Sequence, residues 1–296
     1  MNPRLPDFFI VGAPKAGTTS LYHYLCRHPE VFMSPVKEPN YFCYQDTLAQ
    51  NLYHKEKGIG DWEKYVQLFA GANGSYKAVG EASVAYLFYP SVPQRIRQKI
   101  PHARIIISLR NPVERALSHY FMEYKLGYVN VPLADVVFRK TRHKRAALWY
   151  QQYVELGLYY QQVKRYLETF PSEQVKIFIY EEWVEQVHEG LLELYRFLHL
   201  SPSYLPDPNE RHNPFSLPRN KVMHVLYGQK VLRQMARTLM PAGAVSRVKR
   251  WVLTSKRMPE VGQEVLDELQ RIYRDDVAML EKLLQKNLSV WNAAQR

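Results

Sequence analysis

Cysteine is nearly absent, with only Cys26 and Cys43 among 296 residues. Two thiols cannot build a disulfide framework, and neither stands in a metal-ligand spacing such as C-x-x-C, so reduced thiols and no metal are expected. Long apolar runs are missing as well. Runs such as Ile105-Ile106-Ile107 are far too short to cross a bilayer, and Met1 to Pro6 lacks the apolar core of a signal peptide. A soluble cytoplasmic protein without a membrane partner is therefore expected. Neither an internal repeat nor a low-complexity linker divides the chain, so residues 1–296 read as one domain. Acidic residues are in deficit, 28 against 40 Lys and Arg, for a formal net charge of +12. That excess suggests an anionic ligand. No compact basic run with interleaved aromatics reads as a nucleic-acid module, so a nucleic-acid partner is not expected.

What the chain has is core: 46% hydrophobic and 13% aromatic residues, enough for a substantial packed interior. Phe8 to Val11 reads as a short buried strand, Gly12 to Gly17 as a loop, and Thr18 to Arg27 as a helix stopped by Pro29. Arg104 to Leu109 repeats this logic, followed by Asn111 as N-cap, a first-turn Pro112 and a helix from Val113 to about Lys125. A helical stretch spans Gln151 to Phe170, and Val175 to Tyr180 forms a third strand. Helical spacing returns in Leu191 to Leu198 and from Leu269 to Leu284. A short strand, Ala78-Val79, precedes Glu81. Ser201 to Pro218 reads as a long loop, and Lys221 to Arg257 is basic without clear patterning. Strands alternating with helices predict an α/β fold: an open parallel sheet of the P-loop type covered by helices on both faces.

The loop GAPKAGTTS carries the chemistry. In G-x-x-x-x-G-K-[ST] the lysine follows the second glycine and the hydroxyl holds magnesium. Here Thr18 occupies the lysine position and Lys15 lies inside the loop. The amides of a helix N-terminus still cradle an anion, because they have no helical partners. A lysine projecting from within the loop suits an oxygen that bridges the bound phosphate to its transferring group. With no acidic magnesium partner after either strand, a metal-independent donor is favoured over ATP. A plain strand-to-helix turn is the competing reading.

Gly12, Lys15, Gly17, Thr18 and Thr19 match G-x-x-K-x-G-T-[TS], and RNPVERALSHY supplies an arginine at a strand end with a serine eight positions later. In these two motifs the chain resembles the sulfotransferases that use 3′-phosphoadenosine 5′-phosphosulfate (PAPS), related to the heparan sulfate branch. Looser similarity runs through KEPNYF, VGEASVAYL, YYQQVKRYLETFPSEQVKIFIYEEW and LSVW. The resemblance implies that Lys15, Ala16, Gly17, Thr18, Thr19 and Ser20 hold the 5′-phosphosulfate, and that Arg110 and Ser118 take the 3′-phosphate. Arginine's planar fork and a hydroxyl donor suit that task independently. The late loop that closes over the nucleotide in that family reads HNPFSLPRNK here instead of lysine followed by glycine, so Arg219 and Lys221 are expected as phosphate contacts by position, with basic loop residues in water as the competing reading. Sulfuryl transfer needs alignment and charge stabilisation, which assigns Lys15 a catalytic role.

The acceptor must lose a proton. Glu38 in SPVKEPNYF is the first choice of base, because the glycosaminoglycan branch has a glutamate at the corresponding place. Glu81 is the second, with His23, His28 and His119 behind it. Ala82 replaces the lysine usual in that branch after the second glutamate, which speaks against a long anionic glycan. Tyrosine-rich segments, Tyr41 to Tyr65, Tyr86 to Tyr89 and Tyr120 to Tyr160, suit a compact ring-containing or partly cationic small molecule. The expected acceptor is therefore a secondary metabolite such as an alkaloid or polyketide, with a glycan or glycolipid hydroxyl as the alternative. A small-molecule kinase and a non-catalytic nucleotide-binding protein stand further back. The expected assembly is a monomer or homodimer.

Overall fold

In the computed structural model of the chain, the described residues are 4–50, 58–202, 204–206 and 260–291. They contain five strands: β1 (Phe8–Gly12), β2 (Val31–Met33), β3 (Ala78–Ala82), β4 (Arg104–Leu109) and β5 (Val175–Ile179). All pair in parallel in the order β2-β3-β1-β4-β5. Phe8 lies opposite Gly80 on one side and Arg104 on the other. The chain thus builds outward from β1 in both directions, which leaves a crevice at the carboxyl end of β1.

Strand alternation sorts the core into two layers. On one face Phe9, Val11, Val79, Ile105 and Ile107 pack with residues of α4 (Val92–Lys99), α8 (Tyr159–Thr169) and α11 (Gln263–Leu284). On the other, Phe8, Ile10, Ala78, Ile106 and Phe178 meet α1 (Thr18–Arg27) and α10 (Val187–Leu198). Each of the Val, Ile and Phe side chains contributes roughly 1.5–3 kcal/mol when fully buried. The expected fold is the observed one, a parallel α/β sheet with helices on both faces.

The other described α-helices are α2 (Tyr44–Ala49), α3 (Trp62–Gln67), the longer α5 (Pro112–Leu126), α6 (Leu133–Val137), α7 (Ala146–Tyr153) and α9 (Tyr180–Glu185). None of the described helices is long and apolar enough to cross a membrane. Several boundaries differ from the sequence reading. β2 is three residues long, too short to show alternation. β3 continues to Ala82, so Glu81 lies within the strand instead of after it. The single helix expected from Gln151 to Phe170 is broken, because α7 ends at Tyr153 and α8 starts at Tyr159. There the carboxylate of Asp276 accepts from the amides of Tyr159 and Tyr160 at 2.7 and 3.1 Å, capping a new helix from a position far along the chain.

The chain divides into two compact units. The first, Met1–Arg115, Leu156–His212 and Tyr273–Arg296, contains the sheet. The second comprises Ala116–Glu155 and Asn213–Ile272. Within it Tyr153 donates to Glu123 at 2.6 Å, and Glu123 lies 3.2 Å from His119. A cavity of about 350 Å³ in this unit is lined by Tyr120, Tyr124, Leu133, Glu260 and Val265, among others.

Candidate active site

The loop after β1 is pinned from below. Ala13 donates its amide to the Ser108 carbonyl at 2.7 Å, and the Ser108 hydroxyl donates to the Ala16 carbonyl at 2.7 Å. The Trp183 indole in turn donates to that hydroxyl at 3.1 Å. A chain of bonds therefore runs from α9 through β4 to the loop. Gly17 closes it with φ 76°, a conformation that glycine adopts without strain. Space demands glycine too, since a Cβ there would fall 2.4 Å from Trp183 and 2.8 Å from the Tyr180 ring. Gly17 is also the N-cap of α1, and no side chain caps that helix among the described residues. Its first-turn amides point the positive end of the helix dipole into the crevice.

Lys15 holds a left-handed backbone, φ 70°, which costs a non-glycine residue about 1–3 kcal/mol and persists where surroundings over-determine it. One determinant is Arg110, whose Nη1 donates to the Lys15 carbonyl at 3.3 Å. The guanidinium also lies 5.0 Å from the centre of the Tyr180 ring and 3.4 Å from Glu114. Tyr159 donates its hydroxyl to the Arg110 carbonyl at 3.0 Å. Next in sequence, the Asn111 side chain accepts from the amides of Val113 and Glu114, capping α5 as the sequence predicts. Its Nδ2 donates to the Trp291 carbonyl at 2.5 Å. The structure thus brings Lys15 to Ser20 and Arg110 to one crevice. Ser118 lies further along α5, half-buried, in the second unit. Arg219 and Lys221 lie outside the described residues.

The two candidate bases sit in unlike surroundings. Glu38 is part-exposed with φ 62°; its amide donates to the Ala82 carbonyl at 2.8 Å and its carboxylate meets Lys37 Nζ at 2.8 Å. Glu81 is fully buried. Tyr65 donates to its Oε2 at 2.5 Å, and Tyr86 lies 3.4 Å from the same oxygen. Burial pushes its pKa up to about 7, against the opposing pull of the hydroxyls of Ser83, Tyr65 and Tyr86. Among the histidines, His23 is exposed. His28 is a structural clamp: Nε2 lies 2.9 Å from the Ser201 carbonyl, while Nδ1 accepts from the Glu30 amide. His119 is buried beside Glu123.

Ser108, Tyr180 and Trp183 have no role in the sequence reading. Their strand and helix are legible, but only the paired β4 and β5 reveal that they form the floor of the loop. An anion cradle at the end of the first strand of an open parallel sheet, with a cation supplied from the neighbouring strand, defines a phosphate-loop α/β protein.

Comparison with known proteins gives the family. A family model described as the sulfotransferase domain matches residues 5–279. A solved sulfotransferase from Alicyclobacillus acidocaldarius is 31% identical, covers 98% of this chain and 99% of its own, and superposes with a TM-score of 0.72. Bifunctional heparan sulfate N-deacetylase/N-sulfotransferase 1 of Caenorhabditis briggsae is 25% identical over 96% of this chain and 30% of its own length. Membrane-associated sulfotransferase kil1 of Dictyostelium discoideum is 34% identical over 39% of this chain and 22% of its own. The chain belongs to the sulfotransferase domain family. It spans under a third of the length of these two curated relatives, 30% and 22%.

Proposed function

We propose that this chain transfers a sulfuryl group from PAPS to a hydroxyl or amine of a small-molecule acceptor. The observation that carries the reading is the donor set at the crevice: Lys15, the amides at Gly17 to Thr19, which no side chain caps, and Arg110, whose Nη1 lies 3.3 Å from the Lys15 carbonyl. Such a set suits a doubly phosphorylated nucleotide. When bound, PAPS supplies the sulfuryl group and leaves as 3′-phosphoadenosine 5′-phosphate (PAP). Lys15 and the hydroxyls of Thr18 and Thr19 stabilise charge growing on the 5′-phosphate oxygen. Arg110 offers its fork to the 3′-phosphate, and Ser118, Arg219 and Lys221 are assigned to the same ligand by sequence position alone. Glu38, part-exposed, accepts the acceptor's proton; the burial of Glu81 leaves it behind Glu38 for that role.

The compact-acceptor reading rests on the tyrosine-rich segments of the sequence, of which Tyr41 stays part-exposed, stacked at 4.7 Å on the fully buried Tyr65. A second reading, sulfation of a glycan or glycolipid hydroxyl, draws on similarity to relatives named for heparan sulfate. Calorimetry with PAP, against ATP with magnesium, tests the donor site. Metal-independent PAP binding that is lost in Arg110→Ala supports the assignment; preference for magnesium-ATP returns the loop to kinase chemistry. PAP binding without turnover on any alkaloid, polyketide or glycan acceptor would favour a non-catalytic binding protein.

A further inference from the structure

Glu81 is a fully buried carboxylate that the transfer step above does not use. Its Oε2 receives both tyrosine hydroxyls and the Ser83 hydroxyl also favours its charged form, while Oε1 has no hydrogen-bond partner within bonding distance among the described residues. Leaving a buried carboxyl so sparsely satisfied is costly, and such a group persists where it fixes something else.

What it fixes is the segment that carries Glu38. Three alternate amides of that segment are tied to the end of β3 and the turn after it. Glu38 donates to the Ala82 carbonyl at 2.8 Å, Asn40 to the Ser83 hydroxyl at 3.0 Å, and Phe42 to the Tyr86 hydroxyl at 3.2 Å. The ties are needed, because Glu38 and Asn40 both hold left-handed backbones, φ 62° and 53°. A tyrosine hydroxyl has one hydrogen. Donated toward Glu81, it leaves a lone pair for the Phe42 amide. Glu81 also holds Tyr65, whose ring stacks on Tyr41 at 4.7 Å and meets Phe42 edge-on at 5.7 Å. Two routes, Tyr86 to Phe42 and Tyr65 to Tyr41, therefore run from one carboxylate into the same segment.

We propose that Glu81 is a positioning residue, which orients the Tyr65 and Tyr86 hydroxyls and thereby presets the Glu38 segment for proton removal. The role in catalysis rests on the sulfotransferase reading; the preset backbone does not. Burial holds the Tyr65 and Tyr86 hydroxyls in their neutral forms, so each keeps its hydrogen to donate.

The test uses Glu81→Gln, Tyr86→Phe and the double variant of the full chain. Amide hydrogen exchange is followed at Glu38, Asn40 and Phe42, with β1 and β4 amides as internal controls. Each single variant is expected to speed exchange at Phe42 and its neighbours about tenfold while the controls stay protected. The double variant is expected to add nothing beyond the worse single. In turnover, kcat is expected to fall about tenfold with PAP affinity within about twofold of the parent. Unchanged exchange at the three amides, effects that multiply in the double variant, or equal loss of protection at the controls overturns the positioning role. So does abolished turnover in Glu81→Gln with turnover retained in Glu38→Gln, which would make Glu81 the base. Failure of the parent protein to bind PAP overturns the sulfotransferase reading instead, and leaves the exchange result to decide whether Glu81 presets the segment.

Discussion

Gly17 meets two demands at once, a left-handed backbone and the close approach of Trp183 and Tyr180. Gly17→Ala is expected to cost about 1–3 kcal/mol, read by urea unfolding, and to weaken PAP binding because the loop must shift away from α9. Lys15→Ala is expected to lower kcat by about 10²–10³ with a smaller loss in PAP affinity, since in the proposed transfer its charge matters most as the leaving oxygen develops its own. Comparable losses in kcat and affinity would make Lys15 a binding residue only. Both positions were legible in the sequence, because glycine spacing and an in-loop lysine are local signals. The environment of Glu81 was not. Its burial depends on Tyr65 from α3 and Tyr86 beyond β3, contacts that no local pattern announces.

Elements were readable where their signals are contiguous. Arg104 to Leu109 is the strand the sequence predicts, and α5 begins where Asn111 and Pro112 announce it. Asn111→Ala removes the α5 cap and the bond to the Trp291 carbonyl, so a loss of about 1–2 kcal/mol is expected on denaturation. A loss below about 0.5 kcal/mol would mean that water replaces both bonds. The break between α7 and α8 was illegible for the opposite reason. The residue that caps α8, Asp276, lies more than a hundred positions away, and the tyrosine-rich stretch keeps helical spacing through the break.

At the scale of the whole molecule, buried carboxylates set the response to pH. Burial pushes Asp276 from 3.8 to about 6, against the pull of the Tyr160 and Tyr159 amides, and pushes Glu81 from 4.5 to about 7. A folded pKa above the unfolded one means that the native state binds more protons through that interval. The stability these groups contribute is thus present at acid pH and lost as pH rises through the interval toward 7. Glu30 acts oppositely: Lys77 and the Ser201 amide hold it down to about 2, so its contribution is lost as pH falls toward that value. The melting temperature is expected to decline from about pH 5 to pH 7, with a shallower decline in Asp276→Asn, which retains an acceptor for the Tyr159 and Tyr160 amides. Identical slopes in parent and variant would remove Asp276 from this account.

The bond chain from Trp183 through Ser108 to Ala16 gives the loop an optical consequence. An indole N–H that anchors the floor of an anion cradle senses both the field of a bound phosphate and any shift of the loop carbonyl that its bond partner holds. The chain therefore carries its own fluorophore one hydroxyl away from the loop backbone, and occupancy of the crevice should register in its native emission without a label.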